Sequence, residues 1–447
     1  MLVLLRFTML KLKANKKVMD RRDFLATGAV STAGMLFFSG NLLAKSSKEA
    51  NKQKMVKPLA YKKKGEWKEF ELYIDIHIHE PAPGFKYHTL AFNDSIPGPE
   101  IRVNVGDKVR VRFINKTDLN HTIHWHGLFV PWRMDGVPFV TQLPVMPKNE
   151  FIYEFIAEPE GTHFYHCHWG TLMHMQAGMF GSFIVENPND TIKKRFPYDR
   201  EYTLVYSSHD VNYVRGEMNG MLERMKQRSF LMKEGRFNSE QWAVFDNKEQ
   251  LEESVKGGYN PPYLINRRSN ANLPQANWFT VNGKSYPSTP YIYIKEHENI
   301  RIRLINAGGE IHNLHLHGHD FWMVADDGVP IKHPWQRNTV PLNPGKTYDI
   351  IVEGKNRGIW TFHDHDTKKV TNNGLYPGGN LMALVYEDLP EDELIITKHS
   401  GNPMLNPNAG MGGMDGMKGI NSMNKDSKGM NNMLFGSDKL PKVALDE

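Results

Sequence analysis

One stretch of this chain is present twice. Val109-Arg-Val-Arg-Phe-Ile-Asn followed by His121-Thr-Ile-His-Trp-His-Gly returns as Ile300-Arg-Ile-Arg-Leu-Ile-Asn followed by His312-Asn-Leu-His-Leu-His-Gly. Both copies open by alternating apolar and charged residues with a period of two, the pattern of a half-buried strand. From Phe70 to about Glu186, and again from about Tyr202 to Tyr386, similar short runs are broken by Gly, Pro and Asn. The expected architecture is all-β, two tandem β-sandwich domains of one ancestry at 69–190 and 195–398. Charged, Met-containing sequence at helical spacing interrupts the second block at about 213–257 and predicts a helical insertion. The Lys-rich residues 45–68 read as a linker, and the Gly, Asn and Met-rich residues 399–447 as a disordered tail.

A hydrophobic share of 40% with 23% charge excludes a wholly disordered chain or a polytopic membrane protein. The formal net charge of +5 comes from the first 44 residues, where seven basic side chains face only Asp20 and Asp23. What remains is balanced at 48 basic and 48 acidic residues, so no nucleic-acid partner is expected. The same leader has Arg21-Arg22-Asp23-Phe24-Leu25, an apolar stretch to about Gly40, and Leu43-Ala44 as a cleavage site. This reads as an export signal, too short and too rich in Gly and Ser for a stable membrane span. Its core resembles the twin-arginine signal, although Asp20 and Ala26 depart from the usual pattern, and Met19 competes with Met1 as the start. The mature protein is therefore expected in the periplasm or otherwise outside the cytoplasm.

Metal-ligand chemistry is what the composition leaves open. One cysteine among 20 histidines and 23 methionines excludes an intrachain disulfide, an all-cysteine zinc site and a cysteine-ligated iron–sulfur cluster. Four His-x-His pairs stand at matching places in the two blocks: His124/His126 and His166/His168, then His315/His317 and His363/His365. Residues i and i+2 of a strand share a face, so each pair presents two imidazoles together, and eight of them can hold several ions. His77/His79, outside this plan, is expected to be ordinary surface or core.

Cys167 lies between His166 and His168, so its sulfur faces the other way. His121, His174 and Met179 are placed to reach that side. Two imidazoles, a thiolate and a weak axial thioether make the trigonal site of blue copper. Met173 and Met175 are rival axial groups.

These segments resemble those of the multicopper oxidases, the laccase-like superfamily built from Greek-key cupredoxin domains. The resemblance is carried by His124-Trp-His-Gly, Met134-Asp-Gly-Val-Pro with Thr141-Gln-Leu-Pro, Tyr165-His-Cys-His and His315-Leu-His-Gly-His. It implies four coppers per functional unit. His121, Cys167, His174 and Met179 would form type 1, His124 and His315 type 2, and His126, His166, His168, His317, His363 and His365 the type 3 pair. Six residues separate Cys167 from His174 where the family usually has four, which reads as a longer loop. Asp364 stands where a second type 1 cysteine would be, so His312 is read as a relic. Type 1 copper in the first of two domains resembles the two-domain class, which assembles as homotrimers with trinuclear sites between subunits; a monomer with an internal interface competes.

The implied reaction takes single electrons from a small reductant and reduces O2 to water. Cys167, His166 and His168 would carry the electrons, and Asp135 would aid proton delivery beside the type 2 copper. Glu310 and Asp364 are secondary relay groups. Seven methionines at 404–433 (Met404, Met411, Met414, Met417, Met423, Met430 and Met433) favour Cu(I) as reductant beside small aromatic compounds. Met218, Met221, Met225 and Met232 in the insertion are expected to face a core. Copper nitrite reductase, which needs neither His168 nor His365, and a non-enzymatic copper store are the competing readings.

Overall fold

The computed structural model describes residues 58–219, 221–222 and 274–389. The export signal, most of the insertion with Met225 and Met232, and the Met-rich tail lie outside the described residues.

Strands are numbered in chain order. In the first sandwich one sheet runs β1 (Lys62–Lys64), β2 (Trp67–Ala82), β5 (Lys108–Asn115), β7 (Glu150–Ile156), with β3 (Phe85–Phe92) also on β2. The facing sheet runs β4 (Gly98–Asn104), β9 (Phe180–Glu186), β8 (Gly161–Cys167), β6 (Ile123–His126). The second sandwich has β11 (Trp278–Val281), β10 (Arg200–His209), β13 (Asn299–Asn306), β18 (Thr347–Glu353), β15 (Phe321–Asp326) and β16 (Val329–Arg337) in one sheet. Opposite lie β12 (Tyr291–Ile294), β20 (Met382–Tyr386), β19 (Ile359–Asp364), β14 (His312–Leu316) and β17 (Thr339–Leu342).

The repeat in sequence is a repeat in topology. β2 pairs parallel with β5 as β10 does with β13, and β4 pairs parallel with β9 as β12 does with β20. These parallel neighbours, joined by crossovers between sheets, are the Greek-key cupredoxin arrangement. On β5, Val109, Val111 and Phe113 enter the core while Arg110 and Arg112 point outward to Glu69, Glu154, Glu71 and Glu150 on the flanking strands. On β13 the same alternation puts Ile300, Ile302 and Leu304 inside, yet Arg301 and Arg303 are buried too. Their face is covered by the first sandwich: Arg303 donates to Thr162 Oγ1 on β8 at 2.7 Å, and that hydroxyl donates to Asp349 at 2.6 Å. Arg301 pairs with Asp349 and with Asp190.

Apolar contact completes the seam. Ala91, Ile96, Phe164 and Phe180 pack on Val205, Ile305 and Ala307, and Phe85 stacks on Trp278 at 4.1 Å. His79 is buried there with Nε2 2.7 Å from the Gly283 carbonyl oxygen, a structural role for the early His-x-His pair.

One expectation needs adjustment, and one is met in the part of the insertion that is described. The stretch read as linker already contains β1 and the start of β2. Lys62–Lys64 is an exposed edge strand, paired with Trp67–Glu69, whose unbroken charge hides the period-two signal. In the insertion, residues 211–219 are helical, and Met218 and Met221 are buried in the first sandwich's core.

Candidate metal centre

Antiparallel β6 and β8 set Ile123 opposite Cys167 and His124 opposite His166. Alternation then divides the side chains between two faces. Outward, the rings of His124 and His166 lie 5.3 Å apart, with His168 5.5 Å and His126 5.8 Å from His124. Ligand nitrogens of His124, His126 and His166 all fall within 4.8 Å of one another. Inward, Cys167 Sγ lies 3.1 Å from His174 Nδ1 and 3.7 Å from His121 Nδ1, all three buried.

His174 arrives on a helix. The segment read as a longer loop is α1 (Thr171–Ala177), which starts after Gly170 and stops at Gly178, both left-handed. The second sandwich holds it: Gln176 accepts from His209 Nδ1 through its carbonyl oxygen at 2.8 Å and from Asp210 N through Oε1 at 2.6 Å. Met179 is fully buried in the same core cluster as Cys167, and its carbonyl accepts from Cys167 N at 3.1 Å. Of its rivals, Met175 is half-buried against the seam cluster and Met173 against the first core.

Backbone oxygens orient the outward rings. His124 Nδ1 donates to the Asp135 carbonyl at 2.8 Å, with the Asp135 carboxylate 3.3 Å from the same nitrogen. His166 Nδ1 is 3.0 Å from the Cys167 carbonyl oxygen. Such bonds leave each Nε2 lone pair pointing at the shared space. Gly136 is what lets Asp135 lie against β6: its φ is +81°, and a Cβ would fall 1.8 Å from the Ile123 carbonyl oxygen. Thr141 ties the same loop by accepting from Val137 N at 2.8 Å.

The second sandwich repeats the outward face. His315 Nδ1 meets the Asn338 carbonyl at 2.8 Å, and His363 Nδ1 the Asp364 carbonyl at 2.9 Å. His317 and His363 oppose their Nε2 atoms at 2.9 Å, and His365 lies 5.6 Å from His315. Among the described residues, no ring of this quartet contacts a ring of the other. On the inward face Asp364 replaces the thiol: its Oδ2 accepts from His312 Nδ1 at 2.8 Å, and its Oδ1 from Asn313 N and Asp366 N. It thus faces the core, away from the imidazoles, and Glu310 is engaged by Lys368 and Lys369.

Burial decides the protonation of rings on both faces. It pushes His166 and His174 down to about 3 and His126 to about 4, so these imidazoles are neutral with a lone pair free. It also pushes the Cys167 thiol up to about 12. Three neutral donors, one of them sulfur, converging without a counter-charge, fit a soft or borderline cation.

Multicopper oxidase family models match residues 77–190 and 259–376. Blue copper oxidase from Nitrosomonas europaea is 32% identical with a TM-score of 0.57, over 72% of this chain and 88% of that one. This chain belongs to the multicopper oxidases. Multicopper oxidase mgLAC is 31% identical, also with a TM-score of 0.57, over 72% and 87% of the two chains. Among curated relatives, Laccase-1 of Cryptococcus neoformans var. grubii is 27% identical over 61% of this chain, and copper resistance protein A of Escherichia coli 25% over 64%. The chain spans 40% and 47% of the length of those two relatives. Membership of the family implies copper as the cofactor, and the softness of the donor set agrees.

The residues that cluster here were all singled out in the sequence, as was Asp135 beside His124, but their other supports were not. Thr117, whose hydroxyl lies 2.8 Å from His121 Nε2, aligns with Gly308 in the repeat, a difference the alignment displays. Asn338, Thr339 and His209 carry no comparable signal: Asn338 acts through its backbone oxygen, Thr339 through a hydroxyl on the neighbouring strand, and His209 across the seam.

Proposed function

We propose that this protein is an exported copper oxidase that couples oxidation of a small reductant to reduction of O2 to water. The observation that carries it is the two-faced strand β8, with a thiol cluster inward and an imidazole quartet outward on adjacent residues. His121, Cys167, His174 and Met179 would hold the type 1 ion. His124 and His315 would hold type 2, and His126, His166, His168, His317, His363 and His365 the type 3 pair. Bound there, copper would supply one-electron transfer at the thiolate and four-electron reduction of O2 among the eight imidazoles.

The chain's own contribution is placement. Cys167 shares a main chain with His166 and His168, so a few covalent bonds join the two faces. Burial of Cys167, His121 and His174 keeps water from the sulfur. The Asp135 carboxylate, one-third exposed beside His124, can take a proton from solvent and pass it inward from its Oδ atoms.

Each quartet is half of a set. His317 and His365 are exposed and the quartets do not touch within a chain, which supports completion by a second copy. Head-to-tail contacts of this kind close into rings, and a homotrimer is the assembly proposed. For the reductant, the copper resistance relative and the methionines at 404–433 support Cu(I), with small aromatic compounds as alternatives. The export reading rests on Arg21-Arg22-Asp23-Phe24-Leu25 and supports a periplasmic or otherwise exported protein. Among the described residues no helix is long and apolar enough to cross a membrane.

Oxygen uptake decides the matter, measured with Cu(I) and with a phenol for the full chain, a chain lacking 401–447, and Cys167→Ser. Uptake in the first and none in the last is expected. Loss of the cuprous activity alone on tail removal would assign copper tolerance as the role. A fully copper-loaded protein that consumes no oxygen would leave a copper store or a nitrite reductase, whose example from Nitrosomonas europaea shares this fold at 18% identity.

A further inference from the structure

The inward cluster depends on a residue that is not one of its ligands. Thr117 Oγ1 has two acceptors in reach, Asn115 Oδ1 at 2.8 Å and the Leu119 carbonyl at 3.2 Å. It also has two nitrogens in reach, His121 Nε2 at 2.8 Å and Leu119 N at 3.1 Å. A hydroxyl carries one proton. Asn115 Oδ1 is the nearer of the two oxygens, and the bonds of its amide protons to the Leu119 and Val145 carbonyls fix that oxygen toward Thr117, whose N–H it also accepts. Two placements of the Thr117 proton fit these distances, on Asn115 Oδ1 or on His121 Nε2, both at 2.8 Å, and the first is adopted. The hydroxyl lone pairs then accept from Leu119 N–H and from His121 Nε2–H. Thr117, Asn115 and His121 are all buried away from bulk water.

The second sandwich is the built-in control. Asn306 keeps the place and bonds of Asn115, donating to the Glu310 and Leu342 carbonyls at 2.8 and 2.9 Å. Position 308 is glycine, and its N–H donates to Asn306 Oδ1 as Thr117 N–H does to Asn115. Only the side chain is missing. There His312 Nε2 is buried without a partner, and His312 Nδ1 is committed to Asp364.

We infer that Thr117 is a positioning residue for the type 1 site: it fixes His121 as the Nε2–H tautomer and aims a bare Nδ1 at the Cys167 sulfur. This rests on the proposed metal role of Cys167. A hydrogen bond from the far ring nitrogen makes the imidazole a stronger donor and favours Cu(II) over Cu(I). Removing it should raise the reduction potential of the thiolate site.

Two measurements test this. In the copper-free wild-type protein, nitrogen NMR of labelled histidine should show His121 protonated at Nε2, with a slowly exchanging proton; protonation at Nδ1 would overturn the inference whatever the metal does. In the copper-loaded protein, Thr117→Val should favour Cu(I) about tenfold, roughly 59 mV upward, with Thr117→Ser restoring the original potential. A Thr117→Val protein that melts earlier but keeps its potential would reduce Thr117 to a structural role and refute the assignment. Failure of the underlying reading looks different: the wild-type protein would then show no thiolate-to-copper absorption at all.

Discussion

Cys167 and Asp364 occupy the same register, each opposite an apolar residue of the neighbouring strand and each beside a histidine that faces outward. Around Cys167 the inward space gathers two imidazole nitrogens and a thiol whose single proton can serve only one of them. Around Asp364 the same space is closed by a carboxylate that accepts from His312 and from two backbone N–H groups. One scaffold thus builds a place for a cation once and seals it once. The outward quartets are kept in both halves, so duplication preserved the shared imidazole set while leaving one thiol.

The largest expected effect lies in that difference. Cys167→Ser should abolish oxygen uptake with every reductant, whereas Asp364→Asn, which keeps size and shape, should cost stability and leave the thiolate site's spectrum intact. Mixing Cys167→Ser chains with His365→Ala chains, after dissociation and reassembly, should regain uptake if the quartets join across copies. No recovery from mixed oligomers would favour an internal site.

Asp135 comes next. Its backbone oxygen, not its side chain, makes the shorter bond to His124, so Asp135→Asn should retain copper. Loss of its proton delivery should lower turnover about a hundredfold, at the lower end for general acid–base groups. Unchanged turnover across pH would remove it from the mechanism.

The arginines supply a second contrast between the halves. Asp349→Ala would leave Arg301 and Arg303 buried short of one carboxylate, a loss of about 3–5 kcal/mol in denaturant unfolding. Glu154→Ala on the solvent-facing ladder should leave the midpoint where it is. Acid should act on the seam in the same sense. Burial would raise Glu201, but Arg303 and Arg102 overcome this and hold it at about 2. Because its folded value is depressed, its contribution is complete above the unfolded value near 4.5 and is lost as pH falls toward 2. Over that window unfolding free energy should drop by about 3 kcal/mol from this group. Glu201→Gln should flatten that part of the profile.

Much of this was legible in the chain because period two is a strong code. The repeat, the opposed faces of Tyr165-His-Cys-His and the pairing of four His-x-His segments all follow from strand geometry. What escaped depends on contact. The burial of Arg301 and Arg303 comes from the second sheet's neighbour, and nothing in Ile300-Arg-Ile-Arg distinguishes it from Val109-Arg-Val-Arg. The helix carrying His174 was hidden by the brevity of Thr171–Ala177 and by partners on β10. Thr117 was visible only once the second copy showed what its absence leaves unpaired.

The most direct test of the central contrast is the visible spectrum of the Cu(II)-loaded protein. One intense thiolate-to-copper(II) band per chain is predicted for wild type, retained in Asp364→Asn and absent in Cys167→Ser. A wild-type protein that takes up copper without that band, or a band that survives loss of Cys167, would contradict the account.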